Sequence, residues 1–406
     1  MPLICFTLKF YSLVSKGKST KIHNEERINS NLECISDDVL KFATKTIVSG
    51  CIWNHSNILH FMHQKIFVTG GTGFVGSYLL RYLVQRGHQN IFALKRSNSS
   101  MALVEAVKDK ITWVEGDILD ISFLEEIMEG VQQIYHCAAL VSFDPKEATK
   151  MMQVNIEGTA NIVNIALFHK VKKVVHISSI AALGNSKPGE TQDEKTSWKE
   201  DKNTSNYAKS KYYAEMEVWR GIAEGLNAAI LNPSLILGAG FWDTGTGAIF
   251  KLYASGFPFY SAGIGGVVDV RDVARMAIQV MESEIKEERF IVSCENMVYK
   301  KLFTQIATLA KVKKPSIKIN RFMKEIGWRL EWLKTFFTGT TPTITKESLR
   351  SADNQTYYNN QKSIDILDFE YTPIEETLKE TVKQFKLAKA QEPMVLSLNK
   401  VDRRSL

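Results

Sequence analysis

The stretch "KIFVTGGTGFVG", residues 65–76, runs from an apolar segment through three evenly spaced glycines into a second apolar pattern. "KIFVT" (65–69) reads as a buried strand. "FVGSYLLRYLVQRG" (74–87) reads as a helix that Gly87 closes. A strand passing through a glycine turn directly into a helix is the opening of a βαβ unit. Gly70, Gly73 and Gly76 permit a tight turn and let a pyrophosphate approach the backbone. The helix N-terminus would meet that anion with N–H groups and a partial positive charge. A tight turn without a ligand is the alternative.

Outward from this unit the same rhythm repeats. "NIFALK" (90–95), "ITWVEGD" (111–117), "QQIYHCAAL" (132–140), "KVVHISS" (173–179) and "NAAILNPS" (227–234) read as further strands, with helical stretches such as 146–170 between them. Strands separated by helices form parallel βαβ units with right-handed crossovers and helices on both faces. The expected fold is α/β: a Rossmann-type doubly wound parallel sheet with a smaller C-terminal substrate-binding cap. Residues 62–232 with 266–294 are assigned to the cofactor domain, 233–265 with 295–390 to the cap, and 391–406 to a tail. Residues 1–61 lack sustained periodicity and hold Cys5, Cys34 and Cys51. They are expected to be a consequence of start-site choice, with Met62 the physiological start, and a disordered extension or a targeting segment is the alternative.

Composition narrows the function class. The 406 residues are 44% hydrophobic and 23% charged, with a formal net charge of +7. That suffices for a large core and lacks the basic runs of a nucleic-acid groove. No apolar run approaches the ~18 residues that cross a bilayer. Five cysteines without CxxC spacing indicate neither a disulfide framework nor a metal site, so a reducing, cytoplasmic setting is expected.

The end of the second strand bears on the choice of dinucleotide. A carboxylate there would hold a ribose 2′-hydroxyl, and a cation would hold a 2′-phosphate. The chain reads "ALKRSNSS", with Lys95 and Arg96 and no carboxylate. Arg96 suits phosphate by its planar fork of donors, so NADP(H) is preferred and NAD(H) remains possible. Solvated surface charge is the alternative for both cations. Asp117, after the third strand, is an adenine acceptor or a turn cap. Ala138, in "CAAL", leaves room for a flat ring or simply packs closely.

"SNYAKSKYYAE" (205–215) holds three tyrosines and two lysines. On a helix only Tyr207 has a lysine, Lys211, at i+4 on the same face. Ser179, ending the fifth strand, would supply a hydroxyl beside a bound nicotinamide. Hydride transfer to a carbonyl needs a proton donor at the developing alkoxide. A phenol with an ordinary pKa of about 10 is a poor base at neutral pH, and a neighbouring ammonium is expected to lower it.

With these residues in place the chain resembles the extended short-chain dehydrogenase/reductases, the epimerase/dehydratase superfamily. "TGGTGFVG", "HISSIAALG" and "YAKSK" match its glycine, Ser and Tyr-x-x-x-Lys motifs, and "NPSLILG" and "VVDVRDVARMA" resemble further signatures. The resemblance spans about residues 62–390 and is closest to the dihydroflavonol 4-reductase-like and 3β-hydroxysteroid dehydrogenase-like branch. It implies catalytic Ser179, Tyr207 and Lys211. It also implies Asn155, as a structural or proton-relay residue. The implied cofactor contacts are Gly70, Thr72, Gly73, Phe74, Val75, Gly76, Arg96, Asp117, Ile118, Ala138, Tyr207, Lys211 and Pro233. A homodimer is a further expectation from resemblance alone.

No acid follows Ser179, as a sugar-nucleotide dehydratase would require, and the basic corner disfavours an NAD-retaining epimerase. The function expected is NADP(H)-dependent interconversion of a carbonyl and a secondary alcohol, with Tyr207 as acid/base. A sugar-nucleotide epimerase and a non-catalytic NADP-binding protein are the alternatives. In the cap, Phe322, Ile326, Leu330, Leu333 and Phe337 form one helical stripe, widened by Trp328 and Trp332. It reads as a face packed on the core, an apolar substrate mouth or a membrane-surface contact. Phe241, Trp242, Phe257, Phe259 and Tyr260 add aromatic material, which favours a small hydrophobic substrate.

Overall fold

The computed structural model describes residues 64–184, 189–202, 204–338, 347, 349, 352–390, 396 and 398; the expectations for 1–61 and most of 391–406 lie outside these. The first half comprises β1 (Ile66–Thr69), α1 (Phe74–Gln85), β2 (Ile91–Lys95), β3 (Thr112–Glu115), α2 (Ile121–Ile127), β4 (Gln133–His136) and α3 (Ala148–Met152). A π-helical turn (Gln153–Glu157) joins α3 to α4 (Gly158–Phe168), followed by β5 (Lys173–Ile177), β6 (Thr191–Gln192) and α5 (Asn206–Ala223). Then come β7 (Ala228–Pro233), β8 (Leu235–Leu237), α6 (Gly245–Ala254), β9 (Phe259–Tyr260), β10 (Ile264–Asp269), α7 (Val270–Glu282) and β11 (Glu288–Val292). The remainder is β12 (Glu295–Val298), α8 (Tyr299–Ala310), β13 (Ile317–Lys318), α9 (Arg321–Thr338), β14 (Tyr357–Tyr358), α10 (Gln361–Leu367) and α11 (Ile374–Lys389).

Seven strands form the main sheet in the order β11-β7-β5-β4-β1-β2-β3, and every pair is parallel. Every residue of β1, β4, β5 and β7 is buried, which is why these strands read as continuous runs without polar alternation. Two apolar cores cover the two faces. One gathers Leu79, Leu83, Val273 and Ala277 from α1 and α7. The other gathers Ile162, Val163, Ala166 and Val218 from α4 and α5. The chain runs outward from β1 to β3 and then returns to β4 on the other side of β1. That reversal opens a crevice at the carboxyl ends of β1 and β4.

Beyond β7 the pairing departs from the sequence reading. β11 is the seventh strand of the main sheet, whereas β10 pairs in parallel with β8 and antiparallel with β12 in a separate sheet. A third core holds the cap together, with Tyr253 stacked on Phe303 at 3.7 Å and Leu302, Ile306 and Leu378 around them. Residues 295–390 are not all cap: Leu367 and Phe369 pack in the main core beside α7. Buried Asp272 on α7 holds this return by accepting from both the backbone N–H and the hydroxyl of Thr372.

Candidate active site

The glycine turn is built by close approach. Gly70 has φ +68°, and a side chain there would strike the backbone of Cys137 and Ala138. At Gly76 a Cβ would sit 2.2 Å from the Gly70 carbonyl oxygen, so only glycine lets α1 start against the turn. No side chain caps α1 and no acid occupies its first turn, so its first N–H groups are open to an anion. Phe74 turns its ring onto Gly240, and Val75 packs on the core, so only the backbone of these two residues faces the turn. Thr72 is half-buried within the turn. The cradle therefore fits a dinucleotide pyrophosphate.

At the cofactor corner the two cations part company. Lys95 faces Glu115 across the β2–β3 register and forms a 2.5 Å ion pair with it. Arg96 is exposed, and its guanidinium has no partner among the described residues. Asp117 accepts from Leu119 N–H at 3.0 Å, which is the turn-capping alternative, and its side chain stays exposed. Ile118 is buried in the core against Gly158, and Pro233 is buried at the end of β7.

A chain of hydrogen bonds braces β4 beside this turn. The Thr159 hydroxyl donates to the Asn155 carbonyl at 2.6 Å, so its oxygen accepts from His136 Nε2–H at 2.9 Å. His136 Nδ1 then accepts from the Thr69 hydroxyl at 2.7 Å, and Thr69 Oγ1 takes the Ala138 N–H at 3.1 Å. Burial pushes the His136 imidazole down to about 3, so it stays neutral. Asn155 sits in the π-helical turn and is 2% exposed. Its oxygen accepts from Leu140 N–H, and its amide donates to the Leu140 carbonyl and to Ser210. Both polar atoms of the Asn155 side chain are thus used in joining the loop after β4 to α5.

Ser179, Tyr207 and Lys211 come together at the carboxyl end of β5. Ser205 caps α5 and so sets the orientation of its first turn. The Ser179 side chain lies beside the Tyr207 hydroxyl, near enough to act on its phenol. Lys211 lies one turn on and donates to the Ile177 carbonyl at 3.0 Å. The Phe143 ring packs 5.7 Å from the Tyr207 ring. One expectation is corrected here. Burial raises the Tyr207 phenol, the neighbouring Ser179 hydroxyl opposes this, and Lys211 does not contribute. The ammonium is held at the strand-end carbonyl, and burial lowers Lys211 itself to about 8, against the raising influence of Glu215 and Cys137.

Behind these three lies a group that the sequence reading missed. Glu215, 1% exposed, accepts from Ser178 Oγ and Asn232 Nδ2 at 2.7 Å each, and from Arg289 at 3.1 Å. Its spacing was a usable signal, because Tyr207, Lys211 and Glu215 follow one another at i, i+4 and i+8 on one face of α5.

The aromatic residues of the cap are spent mostly on the cap itself. Trp242 packs with Phe250 and Phe385, and Phe257 with Tyr253 and Phe259, so they do not carry the argument for a hydrophobic substrate. On α9 Phe322 is 72% and Ile326 41% exposed, which is not a face packed on the core. The side chains of Leu330, Trp332, Leu333 and Phe337 lie outside the described residues. Among the described residues no helix is long and apolar enough to cross a membrane.

A model of the NAD dependent epimerase/dehydratase family matches residues 66–292. A Synechocystis sp. protein, provisionally described as a dihydroflavonol 4-reductase, is 29% identical over 332 residues, spanning 80% of this chain and 95% of its own. Cinnamoyl-CoA reductase 1 of Petunia hybrida is 27% identical over 335 residues, spanning 79% and 91%. Among solved structures, gox2253 aligns with a TM-score of 0.69 at 30% identity, over 80% of this chain and 99% of its own.

Proposed function

The chain belongs to the NAD-dependent epimerase/dehydratase family, and we propose that it reduces a small hydrophobic carbonyl, or oxidises the matching secondary alcohol, with NADP(H). Its relatives make it an NAD(P)-dependent oxidoreductase acting at CH–OH or carbonyl carbon. The observation that carries the finer reading is the Ser179 hydroxyl beside the Tyr207 phenol at the strand end next to the glycine cradle, with Lys211 one turn away. Two named relatives are reductases of a dihydroflavonol and a cinnamoyl thioester, which favours an aromatic or similarly apolar carbonyl for this chain. Phe143, beside the Tyr207 ring, offers such a substrate an apolar wall.

The bound cofactor supplies the hydride. Tyr207 holds the proton that goes to the developing alkoxide, and its burial keeps the phenol protonated for that task. Ser179 hydrogen-bonds the same oxygen and fixes its position. The Lys211 ammonium, held at the Ile177 carbonyl one turn from Tyr207, is placed to hold the ribose hydroxyls of the bound cofactor rather than to act on the phenol. The unpartnered Arg96 guanidinium supports a 2′-phosphate, hence NADP(H) over NAD(H). A cytoplasmic setting is part of the same proposal, since NADPH and the free thiols Cys137 and Cys294 both persist there.

The test is Tyr207→Phe, assayed with NADPH against aromatic and aliphatic aldehydes and ketones. Turnover should fall by about 10²- to 10⁴-fold while NADPH binding persists. Turnover at the unmutated rate would remove Tyr207 from the mechanism.

A further inference from the structure

We propose that Glu215 is a positioning residue for this reaction: it clamps the end of β5 through Ser178, Asn232 and Arg289, and so holds Ser179 facing Tyr207. The inference rests on the reading of Tyr207 as the acid/base, but it concerns a side chain that touches neither substrate nor cofactor.

Four donors converge on the carboxylate. Ser178 and Asn232 share Oε2, while Arg289 and Trp219 share Oε1. Each binds a different part of the site. Ser178 immediately precedes Ser179 at the end of β5. Asn232 uses its second amide hydrogen on the Ser179 carbonyl, at 3.0 Å. Arg289 comes from the edge strand β11, and its other donors hold the carbonyls of Glu194 and Thr196. Glu215 itself sits one turn beyond Lys211 on α5. A single carboxylate therefore ties three strands, the loop around Glu194 and the helix that carries Tyr207 to one point. A buried carboxylate with four donors is strongly held, because its lone pairs are satisfied and its charge is matched by Arg289.

The same carboxylate acts electrostatically on Lys211. The titratable and charged groups facing Lys211 are His136 and Cys137 from the β4 side, His176 from β5, and Tyr207 and Glu215 on its own helix. Burial keeps both histidines neutral and the Cys137 thiol protonated. Glu215 is the anion that remains to support the ammonium.

Two variants separate the clamp from the charge. Glu215→Gln keeps the shape, removes the charge and turns an amide towards donors. Ser178→Ala removes one donor and keeps the charge. Both are assayed for NADPH-dependent reduction of whichever carbonyl the unmutated enzyme turns over, alongside NADPH titration. For Glu215→Gln, kcat should drop at least about ten-fold with little change in NADPH affinity. The alkaline limb of its pH profile should move to lower pH, because Lys211 loses its supporting anion. For Ser178→Ala, kcat should fall several-fold with the limb unmoved. If Glu215→Gln does not fold, Ser178→Ala still decides: unchanged kcat there overturns the proposal. So does a folded Glu215→Gln with unmutated kcat or an unmoved limb. If Tyr207→Phe remained active, the acid/base reading would fail first, and that result is distinct from either of these.

Discussion

Arg96→Ser removes the cation at the end of β2 that, among the described residues, has no side-chain partner and is free to meet a 2′-phosphate, and its effect can be sized from the structure. Lys95 cannot replace it, because Glu115 holds the Lys95 ammonium across the strand pair. Hydrogen bonds to charged groups contribute about 1.5–3 kcal/mol. Arg96 is exposed, so solvent screening puts the loss near the lower end, about 1.5–2 kcal/mol. That is roughly a 10- to 30-fold rise in the NADPH dissociation constant. NADH, which has no 2′-phosphate, should bind within about two-fold of its unmutated affinity. Stability should change by no more than about 0.5 kcal/mol, because the Arg96 side chain has no partner among the described residues. Calorimetric titration of both dinucleotides at one fixed ionic strength reads all of this. A companion variant, Glu115→Gln, frees Lys95 and removes a carboxylate from the corner, and NADPH should then bind about two- to five-fold more tightly. Equal losses for NADPH and NADH in Arg96→Ser, or no loss for either, would refute the assignment of Arg96 to the phosphate.

Two further outcomes follow from the site. The kcat/KM for carbonyl reduction should fall as pH rises past about 8, because burial lowers Lys211 to that value and its ammonium is present below it and lost above. An alkaline limb at or above about pH 10, the range of an unperturbed lysine, would contradict this. Asn155→Ala should lower stability by about 2–3 kcal/mol, since it leaves the Leu140 N–H and carbonyl without their partner. A thermal melt measures this, and an unchanged melt with reduced kcat would instead favour a proton-relay role.

Much of the architecture is local enough to be read along the chain. Each βαβ unit announces itself within about 30 residues by a change in apolar period. The glycine turn is legible because only glycine tolerates the contacts at Gly70 and Gly76. The Tyr207–Lys211 pair is legible because helical spacing rejects the other tyrosines and lysines in the same stretch. The strand β10 was harder. Its sequence is apolar like that of a main-sheet strand, and only its partners β8 and β12 remove it from that sheet.

The sequence by itself therefore determined the doubly wound sheet, the dinucleotide cradle and the Ser179–Tyr207–Lys211 set, because each depends on the period and spacing of near neighbours. Tertiary structure decided what those groups are worth. It gave Lys95 to Glu115, committed Asn155 to a clamp, exposed Phe322 and raised rather than lowered the Tyr207 phenol. It also joined Glu215 to Arg289, 74 positions away in the chain. Burial and charge pairing depend on which distant residues arrive at the same point, and that information does not lie in any one segment.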